Sequence, residues 1–307
     1  MSKICFAVLH YGNHDVTEKC VQSILDLRTK HQIQVLIIDN DSKKKDEDRF
    51  EYLDIYKGLP VEYLTIRETS GFSGANNQGY RYIKEHFQPD FIVMTNNDIS
   101  FLQRDFCDRL VDSYNQHSYD VLAPDIISEA TGDHQNPIDT AGRSKTQVTY
   151  TIVMNRISLA LFPLVYPLLK KRFIRIGNSE AVIQTDNLVQ KTEIEHRTPK
   201  DIVKDIVPCG ACLIFGSAFI EKEDKAFYPE TEFYYEEYIL HERCHKKGMS
   251  IIYDPSMWIL HGDGVATKRK TGDEKNKIRF MLENTRDSAI IYRDLLKGTI
   301  KDVKKIN

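Results

Sequence analysis

Residues 91–101 read FIVMTNNDISF. Residues suited to a buried strand run into two asparagines and an aspartate before apolar character resumes, and the same ending recurs upstream. ICFAVLHY (4–11) ends in the polar segment 10–13, and IQVLIIDN (33–40) ends in 39–42, with a further strand VEYLTI at 61–66. Between these runs the apolar spacing predicts helices near 16–27 and 75–85. Strands alternating with helices imply crossover connections and a mostly parallel sheet buried on both faces, and such sheets bind ligands at the carboxyl ends of their strands. An α/β fold with a parallel central sheet flanked by helices is therefore expected, and the polar strand ends mark its ligand side.

With 307 residues and 41% hydrophobic content the chain can bury a sizeable core. Forty-two Lys and Arg against 45 Asp and Glu leave a net charge of −3, so no overall field draws the protein to nucleic acid and any anionic ligand is bound locally. The N-terminal segment has one lysine ahead of an apolar strand and no small-residue cleavage site, which reads as a cytoplasmic chain without a signal peptide. Six cysteines at low density suit reduced thiols. Cys209 and Cys212 form a C-x-x-C at a turn entering the strand CLIF; with no second ligand pair at similar spacing, they read as packing residues and not as a zinc or redox site.

Two segments carry the chemistry of the first half. In 67–83, RETSGFSGANNQGYRYI, Gly71, Gly74 and Gly79 allow close backbone approach to a ligand, and the helix that follows would direct its first amides at an anion; the alternative is an ordinary loop and cap. Neither a P-loop nor a dinucleotide fingerprint is present. In TNNDI (95–99) one carboxylate flanked by amides at a strand end can hold a divalent cation, and it also suits a turn.

The second half is less regular. Residues 128–205 read as an irregular insertion, within which ISLALFPLVYPLLKKRF (157–173) is an apolar run broken by Pro163 and Pro167. The run is too short and too broken to span a bilayer. Its flanking Lys170, Lys171 and Arg172 suit a segment lying in a membrane interface, and a core helix or an oligomer contact is the competing reading. Order resumes with CLIFGSAFI, a helix near 236–247, a strand over 250–260 and a charged helix near 273–297.

In order along the chain, VLIIDNDS, TSGFSGANNQGY, TNNDI, CGACLIF, FYYEEYILHERCHKKG and ILHGDG resemble the motifs of glycosyltransferase family 2, and most closely its bacterial rhamnosyltransferase-type branch. The resemblance covers roughly residues 4–264. It implies a GT-A nucleotide-sugar fold over 1–265, with a nucleotide-binding half (1–127), an acceptor half (128–265) and a C-terminal helical extension (266–307). It implies a hexosyltransferase that takes a nucleoside diphosphate sugar, a divalent Mg or Mn ion, and a glycan or lipid-linked glycan acceptor in bacterial surface polysaccharide synthesis.

Residue by residue, the resemblance puts Asp39 against the nucleotide base beside His10 and Tyr11. Gly71, Phe72, Asn76 and Asn77 would line the donor pocket, Asn96 and Asn97 would stand at the Asp-x-Asp position, and Asp98 and His261 would hold the metal. Two departures stand out: Asn96 replaces the motif's first carboxylate, and the acidic pair is Glu236–Glu237 where Glu-Asp is common. An inverting transfer needs one general base; the match selects Glu237, with Glu236 supporting it, whereas taken alone two carboxylates at a helix start also satisfy the helix dipole. A transfer of UDP-hexose on the same fold, a nucleotidyltransferase and a non-catalytic nucleotide-sugar-binding protein are the rivals. If no metal is used, Lys268 and Arg269 would be the partners of the diphosphate.

Overall fold

The structure is a computed structural model that describes residues 1–40, 55–66, 71–177, 201–262 and 274–300, with backbone alone for 172–177. The predicted alternation is present. Strands β1 (Lys3–His10), β2 (Gln32–Asp39), β3 (Val61–Thr65) and β4 (Phe91–Asn96) are linked through helices α1 (His14–Leu25) and α2 (Phe72–Phe87). β1 lies between β2 and β4, β2 carries β3 on its outer side, and all three pairings are parallel.

Alternation along β1 explains why both of its faces are apolar. Ile4, Phe6 and Val8 point to one layer, where Cys20, Val21 and Ile24 of α1 cover them. Cys5 and Ala7 point to the other, under Ala75, Tyr80 and Ile83 of α2. Full burial of each aliphatic side chain contributes about 1.5–3 kcal/mol. Gly79 proves to be a packing glycine: a Cβ there would overlap the Cδ1 of Ile38 on β2.

The rest of the chain extends this sheet. β5 (Ile99–Ser100), helix α3 (Phe106–His117) and β6 (Val121–Ser128) precede helices α4 (Lys145–Ala160) and α5 (Phe162–Gly177). Then follow β7 (Val203–Lys204), β8 (Cys212–Phe215), α6 (Ser217–Lys222), α7 (Glu236–Lys246), β9 (Ile251–His261) and α8 (Glu274–Lys297). The sheet order is β3-β2-β1-β4-β8-β6-β9-β5, with β7 paired to β9. β8 enters antiparallel between β4 and β6, so its first residues start at the carboxyl end of β4.

The stretch 128–205, read as irregular, holds α4 and α5. A capping box closes the start of α4, where Ser144 and Gln147 exchange side-chain bonds with each other's backbone. The helix escaped detection because its outer face is as apolar as its inner one, which erases the helical period. α4 and α5 meet at 115° beside Leu161 and Pro163. Among the described residues no single helix is long and apolar enough to cross a membrane. Of the cysteine pair, Cys212 is fully buried in the core and burial pushes its thiol up.

Candidate active site

A cavity of about 550 Å³ opens at the carboxyl ends of β1 and β4. Leu9, Tyr11, Asn40, Asn96 and Asn97 come to it from strand ends, Phe72 from the start of α2, Gly210 and Ala211 from the approach to β8, and Glu236 and Glu237 from the start of α7. His261 closes it from β9, and Phe280 and Thr285 of α8 also line it.

The floor is fixed by hydrogen bonds at the strand ends. His10 and Asp39 are opposite each other in the β1–β2 register. The His10 Nδ1 lies 2.6 Å from the Thr17 hydroxyl, and Asn97 donates to that same oxygen at 2.8 Å. Asp39 is buried below the cavity and accepts from the Tyr63 hydroxyl at 2.6 Å.

β5 and β9 pair antiparallel with Ile99 opposite His261, which carries Asp98 to the histidine across 163 residues of sequence. The His261 Nε2 stands 3.4 Å from the Asp98 Oδ1. Its Nδ1 is 2.7 Å from the amide oxygen of Gln135, which accepts and so fixes a proton on Nδ1. In neutral His261 the Nε2 lone pair then faces a carboxylate oxygen. Two acceptors this close call for a cation between them, either a proton on the ring or a metal ion. The donor set of one imidazole and one carboxylate suits a divalent ion that completes its shell with oxygens from a ligand. Among the described residues no third His, Cys, Asp or Glu joins them.

On the opposite wall the acidic pair starts α7. Tyr234 and Tyr235 precede it at φ 69° and 65°, the left-handed region that costs a tyrosine about 1–3 kcal/mol. This kink turns Glu236 and Glu237 into the cavity. Burial holds both carboxyls above the usual range, and repulsion from Glu237 adds to the shift of Glu236, which lies well above it. Glu237 is opposed in this shift by backbone amides, its own and that of Gly210, which donates to Oε1 at 3.3 Å. The two environments thus differ: repulsion adds to burial at Glu236, while the Gly210 amide favours the charged form of Glu237.

Gly210 does two further things. A Cβ at this position would come 2.8 Å from the Glu237 Oε1, so the carboxylate keeps its present place only beside glycine. Its neighbour Ala211 accepts the Asn96 amide at 2.9 Å. One dipeptide therefore ties the acidic wall of α7 to the end of β4. Asn136 secures that dipeptide by accepting the Cys209 amide at 2.6 Å. Arg143 completes the wall, its guanidinium 4.6 Å from the Tyr238 ring centre and bonded to the Tyr235 hydroxyl at 3.0 Å.

The glycine-rich segment is placed differently from the expectation. The Phe72 amide donates to Glu232 O at 2.8 Å, and a Cβ at Gly71 would lie 2.5 Å from the Glu232 Cα. The close approach at Gly71 is thus to protein backbone. Asn77 exchanges hydrogen bonds with the backbone of Phe227, giving at 2.9 Å and accepting at 3.0 Å, and Asn76 is buried in the helix. Of the proposed site residues, Tyr11, Phe72, Asn96, Asn97, Glu236, Glu237 and His261 line the cavity, with Asp98 behind His261; His10, Asp39, Gly71, Asn76 and Asn77 do not line it. Lys268, Arg269 and residues 67–70 lie outside the described residues. Sequence reasoning missed Gly210, Arg143 and Gln135; only Gly210, a glycine ahead of a buried strand, carried a local signal.

The chain matches Glycosyl transferase family 2 over residues 5–163, just over half of its length, and belongs to that family. Its fold is GT-A. Among solved structures it is similar to GalNAc-T7 crystallised with UDP, GalNAc and Mn2+, with a TM-score of 0.52 and 10% identity over 85% of this chain. The chain spans 44% of the length of that protein. It is also similar to residues 1–349 of S. aureus TarS, with a TM-score of 0.48 and 8% identity over 99% of this chain and 75% of that one. No curated protein matches it by sequence.

Proposed function

We propose that this protein is an inverting glycosyltransferase that moves a sugar from a nucleoside diphosphate donor to a hydroxyl of a glycan or lipid-linked glycan. The observation that carries the reading is the Gly210–Ala211 dipeptide, which holds Glu237 on one side of the cavity and the end of β4 on the other. Glu237 Oε takes the proton of the acceptor hydroxyl as its oxygen bonds to the anomeric carbon and the bond from that carbon to the diphosphate breaks. Burial and the neighbouring Glu237 disfavour charge on Glu236, so it supports the base and does not compete with it. Asp98 and His261 would hold a divalent ion, whose chemistry is to neutralise charge on the departing diphosphate; GalNAc-T7, of the same fold, was crystallised with UDP and Mn2+.

The donor is read as a thymidine diphosphate rhamnose from the family branch, with a UDP-hexose as the alternative, and the setting as bacterial surface polysaccharide synthesis. Asn96 at the Asp-x-Asp position favours one further reading, a nucleotide-sugar-binding protein without turnover. A panel of nucleoside diphosphate sugars, screened first by thermal shift and then for release of the diphosphate with and without EDTA, tests both. Turnover of one donor that Glu237→Gln abolishes supports the transferase; binding without turnover of any donor sinks it.

A further inference from the structure

The segment from Lys145 to Gly177 contains Lys145, Arg156, Lys170, Lys171, Arg172 and Arg175 and no Asp or Glu, in a chain whose net charge is −3. Its helices and the residue joining them also carry seven of the twelve exposed large apolar side chains among the described residues. Tyr150, Val153 and Ile157 on α4 are 66%, 45% and 48% accessible, and Leu164 and Leu168 on α5 are 78% and 72% accessible. On α4 these residues recur at helical spacing on the side away from buried Val148 and Ile152. On α5 the inward side is taken by Phe162, packed with Ile278 and Leu282 of α8.

We infer that the outer face of α4 and α5 docks on an anionic lipid bilayer. Two bent arms, each too short to span, with apolar side chains and basic residues at their ends, are built to lie in the plane of an interface. Lys145, Arg156 and Lys171 are exposed and reach anionic headgroups, while the apolar side chains enter the acyl boundary. A second copy of the chain fits this face less well: a twofold pairing sets a patch against itself, bringing the exposed cations Lys145, Arg156 and Lys171 against their own copies. α8 packs on both arms and lends Phe280 and Thr285 to the cavity, so docking sets the cavity beside the lipid surface. That last consequence, access to a lipid-linked acceptor, rests on the proposed function; the docking itself does not.

Vesicle co-sedimentation of the full chain tests the inference without any assay of transfer. The wild type pellets with phosphatidylglycerol-containing vesicles at low salt and is released at high salt. The pair Arg156→Glu and Lys171→Glu weakens partitioning about tenfold or more. The set Val153→Ser, Ile157→Ser, Leu164→Ser and Leu168→Ser abolishes it with an unchanged melting temperature. Phe162 is left intact because it belongs to the core. Wild type that stays in the supernatant at every composition overturns the inference, as does pelleting that ignores the charge pair. Sedimentation equilibrium showing a dimer that the serine set dissolves, without pelleting, assigns the face to a second copy. Loss of transfer with pelleting intact refutes the proposed function and leaves the docking standing.

Discussion

Gly210→Ala isolates the placement of the base from everything else in the cavity. The added Cβ would sit 2.8 Å from the Glu237 Oε1 and 3.4 Å from its Cδ, whereas ordinary contact begins near 3.4 Å, so the carboxylate must retreat by about 3.4 − 2.8 = 0.6 Å. Gly210 is not among the positive-φ glycines, so alanine meets no backbone strain there. The obstacle is the far end of a flexible side chain, and the fold yields by moving it. A misplacement of about 1 Å costs roughly a hundredfold in rate, and the shorter retreat here predicts a loss of about ten- to a hundredfold in kcat. Weakening the bond from the Gly210 amide also removes a group that stabilises the ionised carboxylate. The pKa of Glu237, already raised by burial, then rises further, and the acidic limb of the rate profile moves to higher pH. Steady-state kinetics across pH, with calorimetric donor binding and a melting curve, check all three points. An unchanged kcat, or a loss confined to donor affinity, refutes the assignment of Glu237.

Four other outcomes are expected. Glu237→Gln lowers kcat by about a hundred- to ten-thousandfold with donor binding retained, as single-turnover kinetics would show; near-normal turnover paired with a dead Glu236→Gln reverses the roles of the two. Asp98→Ala removes Mn2+-dependent donor binding and His261→Ala weakens it, measured by calorimetry with and without the ion; full wild-type activity in excess chelator ends the metal reading. Asn77→Ala strands two backbone groups of Phe227 and destabilises by about 1–3 kcal/mol in chemical denaturation, with the donor KM unchanged if its role is the clamp seen here. Glu236 has a folded-state pKa above its unfolded one, so its contribution is present below the unfolded pKa and is lost as pH rises through the folded pKa. Glu236→Gln therefore gains melting temperature relative to wild type from acidic towards neutral pH, and a constant difference across that range contradicts the burial argument.

The polar strand ends were legible because β1, β2 and β4 are buried on both faces, leaving unbroken apolar runs whose endings stand out. His261 and Asp98 were found through the resemblance and are joined by a strand pairing that no local pattern announces. The segment 67–83 shows how little a glycine pattern says by itself. Glycine marks close approach without saying to what, and here Gly71 meets the backbone of Glu232 while Gly79 meets Ile38. Arg143 was invisible because its partners, Tyr235 and Tyr238, lie over 90 residues away.

The antiparallel entry of β8 has a consequence for how the chain is made. β1 to β4 can pair as soon as residue 96 has left the ribosome, yet the flank of β4 that β8 will cover stays open until residues 212–215 emerge. More than a hundred residues are synthesised while that edge is bare, and a bare, apolar edge recruits other chains. Fragments ending before β8, such as an isolated nucleotide-binding half, are expected to precipitate when expressed, and a cut placed after β9 avoids the hazard.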